Sequence, residues 1–277
     1  TLGTLIHHAR NGGYVGTGDM ITGQDNTTTN QNRFTFKTAS DIRETPAMKW
    51  RVKKLLPETG IGAIFGPSGS GKTFLAFDMA ASISLGCPFY GRKVVQCPVV
   101  YVALEGGAGV SKRVQAWEQY HGQKLPDTFR IVTDALSLLN SDAVGFAEEL
   151  NAAGLSGGVV IIDTLNQSAP GADENSPADM GKIISNAMVI QRLTNSLVLL
   201  VHHTGKDTSK GLRGHSSLGA AMDVTIQVDR KQTGREWGIA KLKDGDDDVS
   251  YPFKLEGVTL GVDEEGDQIT SCVAVGD

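Results

Sequence analysis

Between Gly60 and Val201 the chain alternates short, continuous apolar runs with longer stretches of helical period. The runs are Gly60 to Phe65, Val99 to Ala103, Phe129 to Val132, Val159 to Ile162 and Leu197 to Val201. Each has the length of a strand buried on both faces. Between them lie helical patterns at Thr73 to Leu85, where Leu75, Met79 and Ile83 recur every fourth residue, and at Val110 to Tyr120, Ala143 to Ala152 and Pro177 to Thr194. Apolar strands that alternate with helices predict an α/β fold with a mostly parallel central sheet flanked by helices. After Gly214 the alternation stops. Met222 to Val228, Glu236 to Leu242, Tyr251 to Leu260 and Gln268 to Val275 read as consecutive strands joined by Gly/Asp turns, so antiparallel C-terminal strands are expected on one side of the sheet.

The amino-terminal part lacks this rhythm. Leu2, Leu5, Ile6 and Ala9 form one side of a helical scrap that stops at Gly12-Gly13, and residues 1–14 read as the tail of an upstream domain. Residues 15–45 are expected to be a flexible linker, because Val15 to Asn32 is largely Gly, Thr, Asn, Gln and Asp and cannot bury enough surface to fold alone. From Phe34 to Leu56 the chain turns amphipathic and basic, with Lys49, Arg51, Lys53 and Lys54 around Trp50, a pattern expected of a solvated helix face. Residues 46–277 are expected to form the main domain. The first residue is Thr1, and the chain is expected to be cut from a longer protein.

Composition narrows the class. The longest apolar runs fall far short of a membrane span, so a soluble protein is expected. Three cysteines, Cys87, Cys97 and Cys272, make no paired framework and point to a reducing compartment, the cytoplasm. The net charge of -5 argues against a protein that coats nucleic acid by bulk charge, yet leaves room for a local basic surface. The 34 glycines among 277 residues exceed the usual ~7%. Some segment of the chain needs backbone without side chains.

Gly66-Pro67-Ser68-Gly69-Ser70-Gly71-Lys72-Thr73 explains part of that excess. It fits G-x-x-x-x-G-K-[ST] at every fixed position and lies between a strand and a helix. Backbone N–H groups of such a loop point at phosphate oxygens, the helix N-terminus adds its positive dipole end, Lys72 bridges the β and γ phosphates, and Thr73 can ligate Mg2+. The metal also needs a carboxylate, and Asp163 supplies one directly after the run Val159 to Ile162. Glu105 follows the strand ending at Ala103 and is the candidate base. His202 and His203 end the fifth strand without a third ligand at zinc spacing. Side-chain alternation lets only one of them face the nucleotide, where a neutral imidazole could donate to a γ-phosphate.

These residues carry a resemblance. Leu55-Leu56-Pro57 through Gly60 and the phosphate loop, Leu85 to Phe89, and Val99 to Glu105 with Arg113 after it resemble the RecA-type ATPases, which include the RepA-type plasmid helicases. Asp163, His202-His203 with Lys206, Arg213-Gly214 with Ser216-Ser217, and Asp223 continue it in the same order, over about Ala47 to Leu255. The resemblance implies a RecA-like P-loop NTPase fold with ATP and Mg2+ as cofactors. It implies that Gly66, Pro67, Ser68, Gly69, Ser70, Gly71, Lys72, Thr73 and Phe74 bind nucleotide, that Thr73 and Asp163 hold the metal, that Glu105 is the base and that His203 senses the γ-phosphate. Ile239 to Gly245 is similar to the strand-end K-x-R-x-G of DnaB-type helicases, whose basic pair reaches the neighbouring subunit's γ-phosphate. Here the second basic position is Lys243, a point charge without a bidentate fork. Arg213 is the alternative finger.

Two loops would face the centre of a ring in such a fold, Ala169 to Met180 and Lys206 to Ser217. The second carries Lys206, Lys210 and Arg213 and is the candidate nucleic-acid contact. The resemblance thus implies a ring-forming, hexameric, ATP-dependent DNA helicase module acting on single-stranded DNA, behind a primase-type domain of a phage or mobile element. The alternative is a RecA-type regulatory or assembly ATPase that unwinds nothing.

Overall fold

The computed structural model describes residues 35–44, 47–105, 107–173, 175–203, 216–232, 234–243 and 250–276. The amino-terminal tail, most of the expected linker, and Lys206, Lys210 and Arg213 lie outside the described residues. The chain divides into two units, Thr1–Pro46 and Ala47–Asp277. In the first, the short helix α1 (Ala39–Arg43) is closed by a capping box: the Asp41 N–H donates to Thr38 Oγ1 and the Thr38 N–H donates to Asp41 Oδ2. It buries no residue of its own.

The second unit opens with a small antiparallel pair, β1 (Trp50–Val52) and β2 (Leu56–Pro57). The main strands follow as β3 (Gly60–Gly66), β4 (Val99–Ala103), β5 (Phe129–Val132), β6 (Val159–Asp163), β7 (Leu197–His203), β8 (Val224–Lys231), β9 (Gly234–Leu242), β10 (Ser250–Val262) and β11 (Gln268–Gly276). The helices are α2 (Lys72–Leu85), α3 (Gly107–His121), α4 (Asp142–Ala152), α5 (Pro177–Thr194) and α6 (Ser216–Ala221). Among the described residues nine strands form one sheet in the order β11-β10-β9-β8-β3-β7-β6-β4-β5. The strands from β8 to β5 in that order pair in parallel, and β9, β10 and β11 add antiparallel ladders. This is the RecA-like mixed sheet expected from the alternation.

Alternation along each strand divides the core in two. Tyr101, Ile161, Leu199 and Val201 face the layer that holds Leu75, Met79 and Ile83 of α2. Val100, Val102, Ile162 and Leu200 face the layer of Met180, Ile183 and Leu150 from α5 and α4. Helix α2 is buried around most of its circumference, which accounts for its run of small and apolar residues. Its C-terminus closes on Gly86 with φ +70°, whose N–H returns to the Ile83 carbonyl. All three cysteines are free thiols. Among the described residues no helix is long and apolar enough to cross a membrane.

Two expectations change. The basic segment around Trp50 is not a solvated helix face but the β1–β2 pair. Leu55 and Leu56 are fully buried, and Arg51 is drawn in with them, donating from Nη2 to the Gly157 carbonyl at 2.7 Å. Lys53 and Lys54 remain exposed. Strand β8 also differs from a plain hairpin member: it pairs in parallel with β3, Gly62 opposite Val224 and Phe65 opposite Gln227, and only then turns into β9.

Candidate active site

The phosphate loop leaves the end of β3 and enters α2. Its first glycine is forced by close approach, since a Cβ on Gly66 would lie 2.0 Å from the Val228 carbonyl oxygen of β8. Gly71, at the start of α2, has φ +100°, and a Cβ there would meet the Phe253 ring at 3.2 Å. The Ser70 N–H donates to the Pro67 carbonyl, and the Leu75 N–H to that of Gly71, so the turn is fixed by its own backbone. Lys72 is buried. Its Nζ donates to the Gly66 carbonyl at 2.9 Å and to the Pro67 carbonyl at 2.8 Å, and lies 3.2 Å from His203 Nδ1. Burial pushes the Lys72 ammonium down to about 8, against the attraction of Asp163 and Glu105.

The strand ends next to the loop supply the acids. Asp163 closes β6 and pairs in register with Ala103 of β4 and Val201 of β7. It faces the α2 layer because it lies two residues beyond Ile161, which does so. Thr73 Oγ1 donates to Asp163 Oδ1 at 3.4 Å, and Tyr101 Oη donates to Asp163 Oδ2 at 2.6 Å. Burial raises the Asp163 carboxyl, while the Tyr101 and Thr73 hydrogen bonds and the charge of Arg113 act in the opposite direction. Glu105, just past β4, is part exposed and accepts from Thr164 Oγ1 at 2.8 Å. The Asp163–Thr164 peptide is cis.

The two histidines part as alternation requires. His203 pairs with Gly66 across the β3–β7 ladder and turns to the loop, its Nε2 3.9 Å from Glu105 Oε1. Since Lys72 is a donor, Nδ1 accepts and Nε2 carries the proton toward Glu105. His202 is fully buried on the other side, with Nδ1 3.0 Å from Asn166 Oδ1. Lys72, Thr73, Asp163, Glu105 and His203 therefore meet at one end of the sheet. Phe74 lies beside them under the Arg113 guanidinium, 5.8 Å from its ring centre.

Lys243 does not join this group. Its N–H donates to the Asp223 carbonyl, and the Asp223 N–H in turn donates to the Ile61 carbonyl at the opposite end of β3. Lys243 Nζ is 3.9 Å from Asp223 Oδ1, and the strand between them and the loop spans ~20 Å. Lys241 is occupied elsewhere, donating to the Gly219 and Ala220 carbonyls near the end of α6. Two polar partners escape a reading of the sequence. Tyr101 is hidden in an apolar strand, where its hydroxyl is the one polar side-chain atom of Val99 to Ala103, and Thr164 looks like a residue of the following loop.

Thr73 and Asp163 offer hard oxygen donors beside the phosphate loop, the donor set that suits Mg2+ completed by phosphate and water. Among the described residues no group of three or more His, Cys, Asp or Glu could hold a metal. The fold and this loop define a RecA-like P-loop ATPase. The AAA_25 family, described as an AAA domain, matches residues 27–209, and the chain belongs to that family. Solved structures of similar fold include a KaiC-like protein of Pyrococcus horikoshii OT3, at 16% identity and TM-score 0.53, over 74% of this chain and 90% of that one. The ATPase domain of a DnaB-like helicase, at 16% identity and TM-score 0.53, matches over 76% of this chain and 84% of its own. The RadB recombinase, at 17% identity and TM-score 0.51, matches over 71% and 87%. No curated protein sequence matches the chain.

Proposed function

We propose that the chain is the motor module of an ATP-dependent DNA helicase or translocase, with ATP bound between the subunits of a hexameric ring. The observation that carries the reading is a division of labour along β3. Lys72, Thr73, Asp163, Glu105 and His203 gather at one end, and the finger candidate Lys243 stands at the other, from which it can serve only the nucleotide of another copy. Lys206, Lys210 and Arg213 would supply the contact to single-stranded DNA, and a primase-type domain would precede the module.

In this reading Lys72 leaves the Gly66 and Pro67 carbonyls and follows the β and γ phosphates into the loop. That exchange replaces two neutral acceptors with charged ones, so it favours the bound state. Glu105, oriented by the Thr164 hydroxyl, takes the proton of the attacking water. His203, released from Lys72, presents its ring to the γ-phosphate. Bound Mg2+ would be held by Thr73 and Asp163 and would neutralise phosphate charge.

The test is ATP hydrolysis with and without single-stranded DNA, strand displacement, and particle mass with and without a non-hydrolysable ATP analogue. DNA-stimulated hydrolysis, displacement and a nucleotide-dependent hexamer are expected. A protein that hydrolyses ATP but ignores DNA would instead favour a regulatory or assembly ATPase, the reading to which the net charge of -5 lends weight.

A further inference from the structure

Strands β8, β9 and β10 carry a row of side chains across the sheet at the level of the phosphate loop. Arg230 of β8 is directly opposite Arg235 of β9, and Arg235 is directly opposite Phe253 of β10. Directly paired residues share a face. Val228 and Trp237, two residues before Arg230 and two after Arg235, pair with each other and belong to the same buried layer as Leu75 and Phe253. The row therefore emerges on the α2 face, where that layer ends and the loop begins.

The distances put both arginines against the loop. Arg230 Nη1 lies 4.0 Å from where a Cβ on Gly69 would be, and Arg235 Cδ lies 3.3 Å from where one on Gly71 would be. Like charges directly opposite on neighbouring strands repel. Among the described residues neither guanidinium has an ion pair to relieve this, and Arg235 Nε is buried without a hydrogen-bond partner. The nearby acids point the other way. Asp229 and Glu236 pair on the opposite face, where Asp229 accepts from Gln227 and Glu236 is bridged by Lys231. An arrangement that costs stability in isolation becomes favourable when an anion enters between the two guanidinium groups.

We propose that Arg230 and Arg235 clamp the diphosphate moiety of a nucleotide held in the phosphate loop of the same subunit, from the side opposite Glu105 and His203. The inference rests on the nucleotide reading of that loop. Because the arginines border Gly69 and Gly71, at the head of α2, and not the ends of β4 and β7, they serve nucleoside diphosphates and triphosphates alike. They set how tightly product is held, separately from the hydrolysis machinery. Phe253, packed on Gly71, fixes the height of Arg235 above the loop.

The experiment measures binding of ADP, a non-hydrolysable ATP analogue, inorganic pyrophosphate and single-stranded DNA to the full chain and to two double variants, Arg230→Ala with Arg235→Ala and Arg230→Lys with Arg235→Lys. Each charged hydrogen bond to phosphate contributes about tenfold in affinity. The alanine pair is expected to weaken ADP, the ATP analogue and pyrophosphate by a similar factor of about 100, and to flatten the dependence on salt. The lysine pair should recover part of the loss, and neither variant should melt earlier than the parent without ligand, since repulsion is relieved or unchanged. Loss for the ATP analogue alone, loss for ADP with pyrophosphate unaffected, or loss for DNA alone would each overturn the clamp. Unchanged affinity in the alanine pair, with the parent binding normally, overturns the clamp and leaves the loop's role standing. A parent that binds no nucleotide removes both.

Discussion

Replacing Tyr101 by Phe isolates one hydrogen bond inside the candidate site. The ring keeps its edge-on packing against Phe77, at 5.5 Å between centroids, while the hydroxyl that donates to Asp163 Oδ2 at 2.6 Å is lost. Both partners are buried, and a bond to a buried carboxylate contributes about 1.5–3 kcal/mol. Of the influences that oppose burial at Asp163, the Tyr101 hydroxyl is the largest, so its removal moves the carboxyl further upward. The sign follows from linkage: a carboxyl already raised in the folded state holds its proton to higher pH, so acidification takes away the charged form that Mg2+ requires. At about 1.4 kcal/mol per factor of ten, the Mg2+ concentration at half-maximal ATP hydrolysis should rise about tenfold or more. The gap from the parent should widen as pH falls. A Mg2+ titration of hydrolysis at several pH values reads this directly. Lower thermal stability with an unchanged Mg2+ midpoint at every pH would refute the reasoning and leave Tyr101 as a packing residue.

Lys72→Ala should abolish nucleotide binding without lowering the ligand-free melting temperature, because a charge that burial already disfavours is removed; a loss of fold by circular dichroism would contradict its role. Burial pushes the Asp78 carboxyl up to about 6, while its Oδ1 accepts from Trp117 Nε1. Asp78→Asn keeps an acceptor and removes the charge, so it should stabilise the protein by up to about 3 kcal/mol above about pH 6, a gain that fades toward about pH 4 in denaturant titrations. Gly71→Ala forces φ +100° on a residue with a Cβ and drives it into Phe253, so a loss of about 1–3 kcal/mol and of nucleotide binding is expected in melts and titrations. Lys243→Ala should impair hydrolysis only in assembled protein, and mixing it with Lys72→Ala subunits should restore part of the rate; absence of any recovery would count against a role in trans.

The parts of the fold that are legible in sequence are those where burial dictates composition. Val159 to Ile162 and Leu197 to Val201 lie in mid-sheet, so nothing but apolar residues can occupy both faces, and each run reads as a strand without further information. The β1–β2 pair is not legible, because Arg51 is buried through one long-range bond to the Gly157 carbonyl, and a cation next to Lys53 and Lys54 reads as surface. The parallel pairing of β8 with β3 is equally hidden, since hairpin signals report neighbours in sequence and β8 finds its second partner far away. In the site, motif spacing identifies Lys72, Thr73 and Asp163. The choice between His202 and His203 needs the face of β7, which only the ladder to Gly66 supplies.

That ladder also suggests how the proposed motor couples its two ends. In the ligand-free arrangement Lys72 ties the loop to itself through Gly66 and Pro67 and reaches across to His203, the last residue of β7. A triphosphate competes for Lys72 and frees the imidazole, while a diphosphate gives His203 no γ-phosphate to meet. The residue that differs between those two conditions is therefore the one from which the chain leads directly to Lys206, Lys210 and Arg213. No long relay is needed between nucleotide and the proposed DNA contact, because only Thr204 and Gly205 separate His203 from Lys206 along the chain. The same logic assigns opposite consequences to two substitutions. His203→Ala should uncouple hydrolysis from DNA while leaving ADP affinity near that of the parent, whereas removal of Arg230 and Arg235 should weaken ADP and leave DNA stimulation of the residual rate intact.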